Sequence, residues 1–231
     1  MKKHFAILFI LSAFAAGTSA QVGSPRRTIA IGGSAGATAA NVSFTPKIKQ
    51  QLYLGNTIGA VARYTSEKYF FLVCAAQLEV NLADRGWKEL IEDGSGNEFC
   101  RRLTYLEIPF FAHLGIGREA RGMQCFLNLG PQIGLLLNDS EHYGGAEPWD
   151  ISKRPNNVTV QYGKALDHKF EYGITGGLGL EFKTGIGNFA VEGRYYFGLS
   201  DIFGNTKSDY FGRSANTTIY AKIAYMVELK K

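Results

Sequence analysis

The chain has 231 residues, of which 28 are glycine and 3 cysteine, with 13% aromatic residues, 19% charged residues and a formal charge of +5. That length favours a single domain, and the composition excludes a disordered chain or a disulfide scaffold. The mild positive charge comes without a basic run interleaved with aromatics, which excludes nucleic acid as a partner; past the first segment, no apolar run reaches the roughly 18 residues of a helical membrane span.

Taken in chain order, Lys2 and Lys3 precede an apolar run from Phe5 to Ala16 and the small residues Thr18-Ser19-Ala20. This is the pattern of a secretory signal peptide over residues 1–20, cleaved after Ala20, with residues 21–231 as the exported domain. The rival reading, a retained helix, needs a longer run. No cysteine follows the cleavage point, so lipid attachment is not expected there.

Seven segments after residue 50 alternate apolar and polar residues with period 2, the mark of strands with two unlike faces, and a first, less clearly patterned strand precedes them. The eight run from Thr28 to Ala37, Leu52 to Tyr64, Tyr69 to Leu82, Arg102 to Gly117, Met123 to Leu137, Lys169 to Lys183, Phe189 to Leu199 and Thr217 to Leu229. In the fourth, Leu106, Ile108, Phe110, Ala112, Leu114 and Ile116 oppose Tyr105, Glu107, Phe111 and His113. In the seventh, Val191, Tyr195, Phe197 and Leu199 oppose Glu192, Arg194 and Tyr196. The polar face carries Gly115, Gly117, Gly130, Gly134, Gly173, Gly177, Gly179 and Gly198. A soluble sandwich exposes Lys, Thr and Ser instead, whereas small residues suit the crowded inside of a narrow barrel.

The connectors alternate in length. Thr65 to Lys68, Arg118 to Gly122 and Thr184 to Asn188 have tight-turn lengths. The others span 38–51, 83–101, 138–168 and 200–216, and the third of these contains Pro148, Trp149, Pro155 and Asn156-Asn157. Short turns on one side and long loops on the other, with aromatics near strand ends, describe a membrane-crossing barrel. The fold class is therefore all-β, an eight-stranded antiparallel transmembrane β-barrel in the outer membrane. Both termini fall in the periplasm.

The polar face places Arg63, Glu79, Glu107, His113, Glu171, Glu181, Lys183, Glu192, Arg194, Lys222 and Glu228 inside the barrel. Both signs occur on neighbouring strands, so the expected arrangement is a paired charge network that fills the lumen, since an unpaired buried charge costs several kcal/mol. The rival readings are a polar path for ions or protons and a pair of catalytic carboxylates. Eight strands leave room only for side chains, which counts against a wide channel. His142 and His168 flank the longest loop near Ser140 and Asp167, but no nucleophile elbow is present. Their spacing does not make a metal site, and no cofactor is expected. Gly32, Gly33 and Gly36 lack the lysine and helix of a phosphate loop. Cys74 and Cys125 fall on the lipid face and Cys100 at the outer end of the fourth strand, which puts disulfide pairing out of reach.

The stretch Tyr105-Leu106-Glu107-Ile108-Pro109-Phe110-Phe111 resembles the YxEIP strand of the PorT-like outer-membrane β-barrel proteins. Gly86-Trp87-Lys88, Gly130-Pro131-Gln132-Ile133-Gly134 and the run from Arg194 to Ile202 are similar to other parts of that family. The resemblance covers residues 28–229 and implies an eight-stranded barrel in the outer membrane of a Gram-negative bacterium. Many members of the family have no assigned activity, and some take part in secretion or gliding. One departure is the ending Glu228-Leu229-Lys230-Lys231, where such barrels commonly finish on an aromatic residue.

The functional expectation is a non-catalytic barrel with a packed polar lumen. Its partners are outer-membrane lipid, the barrel-assembly machinery, and an extracellular ligand or secretion partner met through loops 83–101 and 138–168. The alternatives are an accessory barrel of a secretion machine, a lipid-modifying enzyme using His142 or His168, and a narrow pore.

Overall fold

In the computed structural model the described residues are 27–69, 72–92, 94, 96–117, 122–145, 149 and 158–229. The signal-peptide segment, Lys230, Lys231, Pro148, Pro155, Asn156 and Asn157 lie outside them. Among the described residues nine strands form: β1 (Thr28–Thr45), β2 (Gln50–Gln51), β3 (Tyr53–Tyr69), β4 (Leu72–Glu89), β5 (Glu98–Gly117), β6 (Gly122–Gly144), β7 (Phe170–Lys183), β8 (Asn188–Gly198) and β9 (Arg213–Leu229). All neighbours pair antiparallel. The order runs β4-β3-β1-β9-β8-β7-β6-β5, and β5 returns to β4, so eight long strands close into a ring. The expected eight-stranded antiparallel barrel is the fold observed.

Closure occurs between the first and last long strands, from Ile29 opposite Leu229 to Thr45 opposite Arg213. The short connectors and both ends of the described chain lie at one end of the ring, called here the turn end. The longer connectors lie at the other, the loop end. The outward face carries a belt of exposed apolar side chains. On β7 it is Phe170, Tyr172, Ile174, Leu178, Leu180 and Phe182; on β5 it includes Phe110, Leu114 and Ile116. Each of these alternates with a buried inward residue. Aromatics mark both edges of the belt: Phe182, Phe189 and Tyr225 toward the turn end, Phe170, Tyr172 and Phe197 toward the loop end. This is the pattern of interfacial girdles around a lipid-facing band.

Inward glycines make room for inward neighbours. A Cβ at Gly177 would come within 2.6 Å of Glu192 Oε1 and 2.7 Å of Arg194 Cγ, and one at Gly173 within 2.6 Å of the Tyr196 ring. The lumen is packed because the residue opposite each large side chain is often hydrogen alone.

Several strands exceed the expected lengths, mostly at the loop end. β1 ends at Thr45, not Ala37; β4 reaches Glu89; β5 starts at Glu98; β6 reaches Gly144; β9 begins at Arg213. Loop 83–101 is therefore largely strand, with only 90–97 as connector, and loop 138–168 begins seven residues late. At the turn end β3 runs on to Tyr69; at the loop end β2, pairing Gln50 and Gln51 with Glu89 and Lys88, is an unexpected addition. A span needs about 9–11 residues, so strands of 17 to 23 residues such as β3, β5 and β6 rise well above the lipid belt.

A closed ring has no free edge from which detergent can start unfolding. The protein is expected to run at different mobilities unboiled and boiled in SDS. A single mobility for a membrane-fraction sample would contradict closure.

Candidate functional site

The interior is built in tiers. Nearest the turn end, Arg63 Nη1 pairs with Glu181, and Arg63 Nε donates to Gln77 Oε1 at 2.8 Å. His113 Nδ1 meets Asn128 Oδ1 at 2.8 Å, and Asn128 donates to Glu192 at 2.8 Å. In the middle, Glu79 accepts from Arg194 Nη1 at 2.8 Å and Nη2 at 2.5 Å, from Lys222 Nζ at 2.8 Å, from Gln77 at 2.6 Å and from Asn81 at 3.1 Å. Arg194 also holds Glu192 at 2.7 Å and lies 4.7 Å over the Phe111 ring. Above it, Arg85 joins Glu107 and, at 2.7 Å, Glu171. Its guanidinium lies 4.4 Å from the Tyr196 ring centre and 5.0 Å from that of Tyr105. Asn216 completes Glu171 at 2.5 Å, and Tyr220 donates to Glu107 at 2.9 Å.

Among the described residues the buried cations are Arg63, Arg85, Arg101, Lys183, Arg194 and Lys222, and the buried anions are Glu79, Glu89, Glu107, Glu171, Glu181 and Glu192. Six face six. Neutrality and multiple hydrogen bonds are what let ions persist out of water, because each unpaired one costs several kcal/mol. The cavity between Ser34, Glu79, Glu192, Arg194 and Lys222 is about 10 Å³, space for one water molecule.

Apolar residues pack among the lower tiers: Ala30, Val61, Phe126, Ala190 and Met226 form a small cluster, with Arg63 5.9 Å over the Phe126 ring, while the buried polar residues Thr65, Gln124, Lys183 and Asn188 lie nearer the turns. Toward the loop end lies a larger core of Val42, Phe44, Ile48, Trp87, Phe99, Leu103, Tyr105, Val158, Ile202, Phe203 and Phe211. Phe44 sits edge-on to Trp87 at 5.3 Å, and Phe203 stacks on Phe211 at 5.3 Å. Arg101 is buried here against Asp139 at 2.5 Å and Glu141 at 2.7 Å. Tyr143 donates to Glu141 at 2.5 Å; partial burial and that carboxylate push its phenol up to about 12. The segment after β8 is pinned over the mouth: Asp167 and His168 donate their backbone N–H groups to Ile202 O, and Gly204 N donates to Asp167 at 2.7 Å.

The family model described as outer membrane protein beta-barrel domain matches residues 19–204. The chain belongs to that family. No curated protein matches it. Among solved structures it is similar to Ail, the attachment invasion locus protein of Yersinia pestis, at 12% identity over 86% of this chain and 98% of that one, TM-score 0.36. It is similar to Neisserial surface protein A at 12% identity over 87% and 97%, TM-score 0.44. It is also similar to OprG of Pseudomonas aeruginosa at 11% identity over 89% and 95%, TM-score 0.43.

Of the interior residues expected from this family member's sequence, ten are buried inside the barrel: Arg63, Glu79, Glu107, His113, Glu171, Glu181, Lys183, Glu192, Arg194 and Lys222. Glu228 is a correction. It is exposed at the turn end, where it accepts from Asn188 at 3.3 Å, because β9 there passes beyond the packed column. Arg85 and Arg101 were missed, since both fall in the stretch expected to be loop 83–101. The signal for them is alternation that continues through Asn81, Ala83, Arg85 and Trp87 on the inward side. His142 stands exposed opposite Cys100, and His168 Nδ1 contacts Asp201 O at 3.1 Å. Of the cysteines, Cys74 and Cys125 lie on the belt, while Cys100 lies above it. Among the described residues no group of three or more His, Cys, Asp or Glu could hold a metal ion.

Arg85→Met should strand Glu107 and Glu171 and cost about 3–5 kcal/mol. The temperature at which the folded SDS band disappears would fall; an unchanged temperature would mean Arg85 is not the keystone of its tier. The loop clasp titrates separately. The Gly204 N–H, then Lys164, holds the Asp167 carboxyl below the usual carboxylate range. A carboxylate depressed in the folded state contributes above its unfolded pKa, about 3.9, and loses that contribution as pH falls through the lower folded value. The Gly204 amide proton shift should titrate with a midpoint below about 3.9, and Asp167→Asn should remove the step. A midpoint above 3.9 would contradict the clasp.

Proposed function

We propose that this protein is a non-catalytic outer-membrane barrel of a Gram-negative bacterium that works through its outer surface, as a structural or interaction protein. The loop end faces outward and the turn end faces the periplasm. The observation that carries the reading is the filled lumen: a neutral, hydrogen-bonded charge column beneath an apolar core at the loop end. Nothing larger than a water molecule fits the cavity at Glu79. Transport would require the loop-end core and the ion tiers to open together. Binding is left to the walls and loops, which a rigid scaffold holds in place.

The resemblance to PorT-like proteins makes an accessory role in secretion the second reading. Ile186 bears on it: an apolar side chain 74% exposed in the turn between β7 and β8. Such a residue is available to a periplasmic partner.

Planar-bilayer recording should show no conductance steps after insertion; steady ionic steps would sink the filled-lumen reading. A photo-crosslinker at Ile186 separates the two roles. Reproducible capture of one periplasmic partner would move the assignment to secretion, and capture only from residues at the loop end would keep it with surface interaction.

A further inference from the structure

A groove of about 470 Å³ opens on the outside of the barrel where β7 and β8 meet the loop end. Its floor is Phe170, Tyr172 and Leu199, each about half exposed. Its upper wall is polar, with His168, Lys169 and Asp201. Phe170 is the loop-end residue of β7 and Leu199 directly follows β8, so the groove crosses the level at which the lipid belt gives way to polar loop.

The walls are held in place without any ligand. Leu199 N and Tyr172 O bond at 2.9 Å, and Tyr172 N donates to Ser200 Oγ at 3.0 Å. The two carboxylates at the groove are turned to the wall's own donors. Asp201 accepts from Ser214 N at 2.5 Å and Asn205 at 2.8 Å; Asp167 accepts from Gly204 N and pairs with Lys164 at 3.3 Å. His168 spends Nδ1 on Asp201 O, which leaves Nε2 without a partner among the described residues. The Lys169 backbone carbonyl accepts from Leu136 N at 2.8 Å, while its ammonium makes no hydrogen bond or ion pair among the described residues.

An occupant must match both halves. An apolar aromatic floor at membrane level takes a hydrocarbon chain, and an unopposed ammonium beside a free imidazole nitrogen takes an anion. We propose that this groove binds a phosphorylated lipid of the outer leaflet, with its acyl chain against Phe170, Tyr172 and Leu199 and its phosphate on Lys169 and His168. This rests on the outward orientation of the loop end given above.

The test uses the full chain refolded in uncharged detergent, titrated with bisphosphorylated lipid A or its dephosphorylated form and read by native mass spectrometry. The wild type should retain the phosphorylated lipid more tightly. Lys169→Gln should weaken it roughly fivefold, the upper range for an exposed charge contact, and Lys169→Arg should restore it. Lys47→Gln, an exposed cation on another connector, should change nothing. Equal retention of the two lipids, wild-type binding by Lys169→Gln, or displacement by excess inorganic phosphate (an anion site without a lipid) would each overturn the proposal. The SDS heat shift of every variant certifies the barrel, and protease cleavage of segment 199–212 on whole cells reports orientation separately.

Discussion

The pairing of β1 with β9 is the constraint on which the rest depends. In hydrocarbon every backbone N–H and C=O must find a partner within the protein, so a sheet can cross only if it has no edge. Ile29 opposite Leu229 and Thr45 opposite Arg213 close that edge over the full height of the wall. Eight strands then fix a narrow bore. A narrow bore admits side chains and little else, and the inward residues must fill it. Gly177 beneath Arg194 and Gly173 beneath Tyr196 follow from that crowding, as does the tiered arrangement of ions.

Polarity along the wall inverts once. Within the belt the outside is apolar and the inside polar, as with Leu78 and Val80 outside and Gln77, Glu79 and Asn81 inside. Above the belt the outside meets water and the inside becomes a small soluble-type core. On β5, Arg102 and Thr104 face out while Phe99, Leu103 and Tyr105 face in. On β1, Asn41 and Ser43 face out while Val42 and Phe44 face in. The same strands thus serve two solvents, and the aromatic cap is the ordinary hydrophobic response to the second one.

This inversion explains what could be read from the sequence and what could not. From Leu106 to Ile116 the alternation has one sense, and both faces were legible. At Ala83–Glu89 and Glu98–Arg101 the sense flips, polar residues appear on the outward side, and the stretch resembles a loop. Arg85 and Arg101 were lost with it. On β6 the difficulty is different. Leu135, Leu136 and Leu137 break the alternation because Tyr105 pairs with Leu136 and Thr104 with Asn138, leaving Leu137 unmatched in a bulge. Beyond the bulge Asp139, Glu141 and Tyr143 turn toward Arg101 and Phe99. A one-residue insertion changes which face every later residue occupies, and no local composition announces it. The outward groove at Phe170 was illegible for a third reason: its walls come from segments separated by some thirty residues, joined only when Leu199 bonds to Tyr172.

The charged interior also answers why the lumen is not simply filled with leucine. Buried ion pairs are weak evidence of stability, and apolar replacements of similar volume are often as stable. In this setting their value is in register. If both faces of each strand were apolar, sliding a strand by one residue would exchange one greasy face for another at little cost. With Glu79, Glu107, Glu171, Glu181 and Glu192 on alternate positions, the same slip carries carboxylates into lipid, where ionised groups are costly. It also separates Glu79 from Arg194 and Lys222, and Glu171 from Arg85. Charge in the lumen therefore penalises each wrong pairing more than it rewards the right one, and the belt outside can stay uniformly apolar because the inside specifies the alignment.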